Sequence, residues 1–531
     1  MDSEGSSSII LPAGQVERTF DRARSFRVIP AMKDPDSKDG RSTNIARRWR
    51  KRLTQPQPEA DSQGEFFSPP SPPKRSSDAA TATASEPTAP SPVEEVPIDP
   101  ELTTDQAEAL RKIEAAYEPG GFYLLTGHAG SGKTYLMQRL TKNMLAKRRR
   151  IVLSAPTHKA VAVLKRKLVE AEIKDVRCRT IHSVLSLTPK PRADRLVYER
   201  ERDAEPVTAD VVVVDECSMV SEDLYRHIKR HLPNAFVLFV GDPAQLPPVG
   251  EVESKTFSTK NRSHLTTIVR QAAGNPILAA ANIIRASQGG PADISWCSPS
   301  ADENKHGIFL PADAAHRWMK KAFTSPEFDA DPDTFRYLAW TNSRVHQVNE
   351  LIRAWRYGVN IPTPFMPGES ALFRAPVVID GAILFANNQE SRVIAIERST
   401  FTYEIEEAEG VAKWTVSLPS WRITLRDDEG FDKAVHMHAD EGEFQRIVER
   451  IKDEAAESRL RWKHLHEFQQ SLAQLQSVYC LTVHRSQGST FQTAFLDLPG
   501  IRRREKTNLL EAQQMLYVAV TRPSQRLIVV G

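Results

Sequence analysis

The sequence predicts an α/β protein whose strands form parallel sheets covered on both faces by helices. Three observations predict it. Short, nearly continuous apolar runs recur at Ile151–Leu153, Val211–Val214, Phe236–Val240 and Tyr337–Trp340. Strands buried on both faces read this way, whereas strands with one wet face alternate. Helix-like segments separate the runs, as parallel crossovers require. Third, Gly127-His-Ala-Gly-Ser-Gly-Lys-Thr134 is a complete G-x-x-x-x-G-K-[ST] phosphate loop. It sits between an apolar run at Phe122–Thr126 and a helical pattern carrying Leu136, Met137, Leu140, Met144 and Leu145, which is the strand–loop–helix setting that the motif needs.

Composition bounds the rest. A chain of 531 residues has room for two or three domains. A net charge of +3 permits nucleic-acid binding without arguing for it. The four cysteines, Cys178, Cys217, Cys297 and Cys480, are isolated. They suggest neither a zinc site nor a disulfide framework, and they suit a reducing compartment. No apolar run approaches the ~18 residues of a membrane helix. The opening Met-Asp-Ser-Glu-Gly lacks a signal-type apolar stretch. The expectation is an intracellular protein, cytoplasmic or nucleoid-associated, with no membrane partner.

Residues 1–97 are rich in Ser, Pro and Ala, with runs such as Ser68-Pro-Pro-Ser-Pro-Pro-Lys-Arg75 and Ala79-Ala-Thr-Ala-Thr-Ala84. Such composition buries too little apolar surface to offset chain entropy, so a disordered tail is expected. Within it, Arg47-Arg48-Trp49-Arg50-Lys51-Arg52 reads as a solvated basic run; a nucleic-acid or localisation patch is the alternative. Two stretches interrupt the α/β pattern. Residues about 186–208, with Pro189, Pro191 and Asp194, suggest a small hairpin. Residues about 375–477 carry alternating strands (Lys413–Leu418, Trp421–Leu425) and then a charged helix from about Gly442 to Gln470. Trp414, Trp421 and Trp462 in this stretch read as core residues.

The chemistry lies at strand ends. In the phosphate loop, Gly127, Gly130, Ser131, Gly132, Lys133 and Thr134 form a cradle in which backbone N–H groups converge on phosphate oxygens, helped by the helix N-terminus. Lys133 would reach the β- and γ-phosphates, and Thr134 would ligate Mg²⁺. Val211–Val214 ends in Asp215-Glu216, and the strand carrying the pair is expected beside the loop. Asp215 would hold Mg²⁺, and Glu216 would act as general base toward the attacking water. Gln245, in Gly241-Asp-Pro-Ala-Gln-Leu-Pro-Pro-Val249, follows a third strand end and could hold the lytic water or sense the γ-phosphate.

Taken in order, these residues resemble superfamily 1 DNA helicases of the RecD/Dda type, the 5′→3′ branch, over roughly residues 98–531. Leu102-Thr-Thr-Asp-Gln106 is similar to the Q motif, whose glutamine, here Gln106, reads adenine. Gly127–Thr134 resembles motif I, Ala155-Pro-Thr-His-Lys-Ala160 motif Ia and Thr180-Ile-His182 motif Ib. Asp215–Ser218 resembles motif II, Gly241–Val249 motif III and Leu265–Gln271 motif IV. Thr482-Val-His-Arg-Ser-Gln-Gly488 resembles motif V, with Arg485 where the family usually carries lysine, and Leu516–Arg522 motif VI.

The resemblance implies two RecA-like domains with ATP in the cleft between them, at 98–260 and at 261–374 plus 478–531. It implies a pin at about 186–208 and an SH3-like insertion with a helical arm at 375–477. Arg270 and Arg522 would be arginine fingers from the second domain. Pro156, Thr157, His158, Thr180, His182, Pro247, Pro248, His484 and Gln487 would line a groove for single-stranded DNA. The pin has no Phe or Trp; only Leu196, Val197 or Tyr198 could act as a wedge. The implied activity is ATP-dependent 5′→3′ translocation and unwinding by a monomer acting on single-stranded and tailed duplex DNA. The tail, which is not part of the family pattern, is a candidate contact for a replication or repair protein. A translocase that displaces bound proteins and a nucleic-acid-binding scaffold stay open as alternatives. So does an RNA substrate, because phosphate contacts need not sense the 2′-hydroxyl.

Overall fold

The computed structural model describes residues 102–531 except 193–194, 268–274, 291–294, 408–411, 428–429 and 456–458. The expected tail at 1–97 with its basic cluster, the hairpin tip and Arg270 lie outside the described residues.

The first α/β layer begins with β1 (Phe122–Gly127), β2 (Ile151–Ala155) and β3 (Arg177–Thr180). A hairpin of β4 (Leu187–Arg192) and β5 (Arg195–Arg200) follows, and then β6 (Val211–Val214), β7 (Phe236–Gly241) and β8 (Arg262–Leu265). The sheet order is β3-β2-β6-β7-β1-β8, with every pairing parallel. The all-apolar run of β6 serves two cores at once. Val211 and Val213 pack among helices Thr104–Ala115, Lys133–Ala146 and His158–Glu170, while Val212 and Val214 pack against Leu224 and Ile228 of helix Glu222–His231. Two expectations need correction. The strand carrying Asp215 is not beside the loop strand, because β7 lies between them. The first sheet also takes its last strand from Arg262–Leu265, past the expected limit at 260.

The second layer contains β9 (Ser300–Ala301), β10 (Gly307–Phe309) and β11 (Phe335–Ala339), then β19 (Cys480–Thr482), β20 (Phe491–Asp497) and β21 (Pro523–Val530). Its order is β19-β11-β20-β21-β10-β9, parallel except for β9. Between β11 and β19 the chain builds a third, antiparallel sheet. Its strands are β12 (Ser370–Phe373), β15 (Glu390–Ile405), β16 (Trp414–Arg426), β17 (Asp432–His438) and β18 (Leu475–Ser477), in the order β17-β16-β15-β12-β18. A small hairpin, β13 (Val377–Ile379) with β14 (Ala382–Phe385), accompanies it. This sheet starts at Ser370, five positions before the expected 375, because Ala371 and Phe373 belong to its core. The two expected strands at 413–425 are one continuous strand, β16. The single charged helix resolves into two, Glu441–Ala455 and Arg459–Ser471, whose Phe444, Ile451, Leu465 and Phe468 pack on the long β15–β16 hairpin.

Polar contacts hold the layers together. Lys159, from the first layer, pairs with Asp333 of the second at 2.8 Å and with Glu390 of the third at 3.5 Å. Arg336, fully buried on β11, joins the same two carboxylates and lies 4.8 Å over the Phe491 ring. Ala244 and Leu246, in the loop after β7, are buried in the core of the second layer. Gly488 stands against the first layer, where a Cβ would come within 2.8 Å of the Ala160 Cβ; its φ is +73°. We therefore expect Gly488→Ala to lower stability by about 1–2 kcal/mol from backbone strain alone, read as a fall in the thermal midpoint. No loss would mean that this approach is not tight in solution. Among the described residues no helix is long and apolar enough to cross a membrane.

Candidate active site

The carboxyl ends of β6, β7 and β1 are neighbours, so the acidic pair, the Gly241–Val249 loop and the phosphate loop converge at one sheet edge. Ligands bind at this edge in open parallel sheets. In the phosphate loop, Gly130 and Gly132 hold φ at +80° and +76°, conformations that a side chain would penalise. Ser131 donates to His128 O at 2.9 Å. Lys133 Nζ donates to Gly127 O and His128 O at 2.7 and 2.9 Å. The ammonium is thus folded over its own loop by neutral carbonyls. A phosphate would draw it out, because an ammonium is attracted more strongly by a full negative charge than by a neutral carbonyl.

Gln106 differs from expectation. Thr103 and Gln106 form a capping box at the start of helix Thr104–Ala115, and Gln106 Oε1 accepts the Thr103 N–H at 3.1 Å. Its Nε2 donates to Ser131 O at 3.0 Å, and the residue is 1% exposed. Both ends of the amide are engaged in the protein, so Gln106 braces the phosphate loop where an adenine contact was expected. Asp105 extends the brace by accepting the N–H groups of Thr266 and Thr267 just after β8.

At the end of β6 the Asp215 N–H donates to Ser154 O at 2.8 Å. Glu216 adopts a left-handed conformation, φ +51° and ψ 41°, of the strained kind that gathers at functional sites. Burial, with the Glu216 carboxylate beside it, pushes the Asp215 pKa up to about 7, against the pull of the Glu216 N–H and of Lys133. Such a pair is short of positive charge, and a divalent cation suits it. Among the described residues no group of three or more His, Cys, Asp or Glu could hold a metal alone. An ion that takes most of its ligands from phosphate and water, as Mg²⁺ does, would suit this donor set, with Asp215 and the Thr134 hydroxyl the groups that could hold it. Gln245 is buried, and its Oε1 has no partner among the described residues. That leaves one acceptor for a water at the sheet edge.

Across the cleft, Arg522 follows helix Leu509–Val520 and is almost fully buried. It donates to Val518 O, Ser489 O and Thr521 Oγ1 at 3.0–3.1 Å. Three of its five donors are engaged, so two remain. Burial lowers its pKa, opposed by the carboxylates of Glu216 and Asp242 and by Tyr517.

Two family models match in chain order: an AAA domain over residues 101–298 and a UvrD-like helicase C-terminal domain over residues 477–530. An ATP-dependent DNA helicase, dda, of Enterobacteria phage T4 is 24% identical over 452 residues, covering 80% of this chain and 97% of that protein. These matches support a superfamily 1 helicase of the RecD/Dda/Pif1 type. The ATP-dependent RecD2 DNA helicase of Deinococcus radiodurans is 33% identical over 184 residues, 34% of this chain and 23% of that one. A Pif1 helicase from Bacteroides, solved with ADP-AlF3 and single-stranded DNA, aligns with a TM-score of 0.42 at 15% identity, covering 81% of this chain and 92% of that one.

The expected groove residues of this helicase fall into two sets. Pro156, Thr157 and His158 start helix His158–Glu170 and are half-buried, as are Pro247, Pro248 and His484. These remain reachable. Thr157 also caps its helix through the Ala160 N–H at 3.2 Å. Thr180 is buried and caps Ile181–Val184 through the Ser183 N–H. Gln487 is corrected: it is 3% exposed, and its Nε2 donates to Leu246 O at 3.0 Å across the cleft. It couples the two layers and is closed to a strand. Tyr198 is likewise no free wedge. It sits on the hairpin stem with its ring 4.7 Å from that of His182 and packs on the first core.

Burial, with His158 and His227 nearby, lowers the His182 pKa to about 4. Between pH 6.5 and 4 the unfolded chain binds a proton that the folded chain refuses, so this contribution is present above pH 6.5 and lost as pH falls. The loss at pH 5 is about 2 kcal/mol. Thermal melts from pH 7 to 5 should therefore fall less steeply for His182→Gln than for the parent.

One cluster in this helicase was not anticipated. Asp242, 1% exposed, accepts from Ala244 N–H and from the Tyr517 hydroxyl at 2.6 Å, and pairs with Arg285. Asp242 and Tyr517 lay inside recognisable motifs, but nothing in the sequence marked Arg285.

Proposed function

We propose that this helicase hydrolyses ATP in the cleft between its two parallel-sheet layers and uses the cycle to move 5′→3′ along single-stranded DNA, unwinding duplex as it goes. The observation that carries the reading is the pairing of halves. Lys133, Asp215, Glu216 and Gln245 come from the first layer, and Arg522 comes from the second, just past the helix whose Tyr517 hydroxyl meets the phosphate-loop Ala129 N–H at 3.1 Å. The names of the T4 and Deinococcus relatives support the substrate.

In this reading Lys133 swings from its loop carbonyls to the β- and γ-phosphates. Glu216 accepts the proton of a water that Gln245 Oε1 orients, and the free donors of Arg522 neutralise charge as it builds on the γ-phosphoryl oxygens. Bound Mg²⁺, held by Asp215 and Thr134, would supply further charge neutralisation. Arg270 is the second finger in this proposal. Gln487 and Gly488 carry cleft closure to the groove lined by Pro156, Thr157, His158, Pro247, Pro248 and His484. Backbone contacts there would position a strand without reading its sequence. Base stacking in such grooves is worth about 1–3 kcal/mol per base, comparable with the ~1.4 kcal/mol lost per duplex stacking step. Blocking re-pairing while the strand is pulled therefore suffices for unwinding.

The test is polarity. Unwinding of a 5′-tailed duplex with ATP, and none of a 3′-tailed duplex, is expected; the reverse preference refutes the direction. A second reading, a monomeric translocase that displaces bound proteins, is favoured by one observation: Tyr198 is packed on the hairpin stem. Stripping of bound protein without strand separation in the same assay would select it.

A further inference from the structure

We infer that Tyr517 and Arg285 are positioning residues for hydrolysis, forming a clasp that ties the second layer to the phosphate loop and sets the standing place of Arg522. The inference rests on the hydrolysis proposed above and adds two residues to it. The Tyr517 hydroxyl accepts the Ala129 N–H of the phosphate loop at 3.1 Å and donates to Asp242 Oδ2 at 2.6 Å. Arg285, from helix Pro276–Ala286, pairs with Asp242 Oδ1, reaches the Tyr517 hydroxyl at 3.5 Å and lies 5.8 Å from the Tyr517 ring centre. Asp242 and Tyr517 are buried. Arg285 is mostly so, with a side chain 15% exposed. Four groups from four segments thus meet inside the cleft, two from each layer.

Their position gives the clasp its meaning. Ala129 lies inside the loop whose N–H groups converge on phosphate. Asp242 lies three residues before Gln245. Tyr517 lies on the last helical turn before Arg522, whose Nε is held by Val518 O of that same turn. Fixing Tyr517 to the loop therefore fixes how far Arg522 stands from Glu216. That distance matters when charge develops on the phosphoryl group, and less when the nucleotide merely binds. Burial raises the Asp242 pKa, but Lys133, Arg285 and the Tyr517 bond outweigh it, and the carboxylate stays ionised. Asp242 is therefore a charged hub paired with Arg285 and also stabilised by the Lys133 charge. When Lys133 turns to a triphosphate, Arg285 is the cation left to Asp242.

Tyr517→Phe removes one oxygen and keeps the ring. With single-stranded DNA present, we expect kcat for ATP hydrolysis to fall about 10- to 100-fold, the range for a misaligned group, with KM for ATP within threefold and a fall in the thermal midpoint of no more than a few degrees, as loss of a partner for buried Asp242 implies. Arg285→Met should lower kcat similarly, and Arg285→Lys should recover part of that loss. A Tyr517→Phe kcat within twofold of the parent overturns the inference, as does a loss confined to KM or to thermal stability, or an Arg285→Met variant that folds with parental kcat. A parent chain without DNA-stimulated hydrolysis would instead refute the proposed function, which separates the two failures.

Discussion

Replacing Arg522 by alanine is expected to lower DNA-stimulated ATP hydrolysis by about 10³–10⁵-fold, the range for an arginine that neutralises transition-state charge on a transferred phosphoryl group. The side chain is almost fully buried and donates to Val518 O and Ser489 O. Alanine therefore also strips partners from buried carbonyls, a cost of about 1–3 kcal/mol each. Arg522→Lys separates the two effects. It keeps a cation in the same place but cannot hold the carbonyls and a phosphoryl oxygen together, since a point charge lacks the guanidinium fork. Its hydrolysis should stay well below the parent even where its melting curve is close to it. Hydrolysis by the alanine variant within tenfold of the parent would remove Arg522 from the site.

Lys133→Ala is expected to reduce hydrolysis by about 10²–10³-fold, as removal of one charge-stabilising donor does, and to abolish unwinding of a 5′-tailed duplex. The fold should barely notice. Lys133 Nζ touches two loop carbonyls and is only half-buried, so the melting curve and DNA binding without nucleotide should stay near those of the parent. A variant that still unwinds with ATP would show that the phosphate loop is not the motor site.

Much of the site was legible because its residues are required by local chemistry. A phosphate loop needs its glycines, lysine and threonine in one short stretch, and a metal-binding carboxylate needs a strand end. Lys133, Thr134, Asp215, Glu216 and Gln245 could therefore be placed before any contact was known. Gln106 and Gln487 show where that reasoning stops. Both were assigned outward-facing roles from their motifs, yet both amides turn inward to backbone oxygens, Ser131 O and Leu246 O. The Thr103–Gln106 capping box, readable as T-x-x-Q, was the one local hint that Gln106 faces its own helix start. The third sheet began earlier than expected because Ser370–Phe373 carries no turn signal, and only pairing with β15 and β18 assigns it.

By itself the sequence determined the α/β class, the buried strands and the chemical identity of the nucleotide site, because apolar periodicity and the phosphate loop act over a few neighbouring residues. Only the tertiary structure decided which distant groups meet. The order β6-β7-β1 puts Asp215, Asp242 and Gly127 on one edge. The crossing of the cleft brings Tyr517 to Ala129, Arg285 to Asp242 and Gly488 to Ala160. Those contacts join residues up to 388 positions apart, and no local propensity encodes them. They exist because the two layers bury Ala244 and Leu246 in a shared core, so the site is completed by packing between layers.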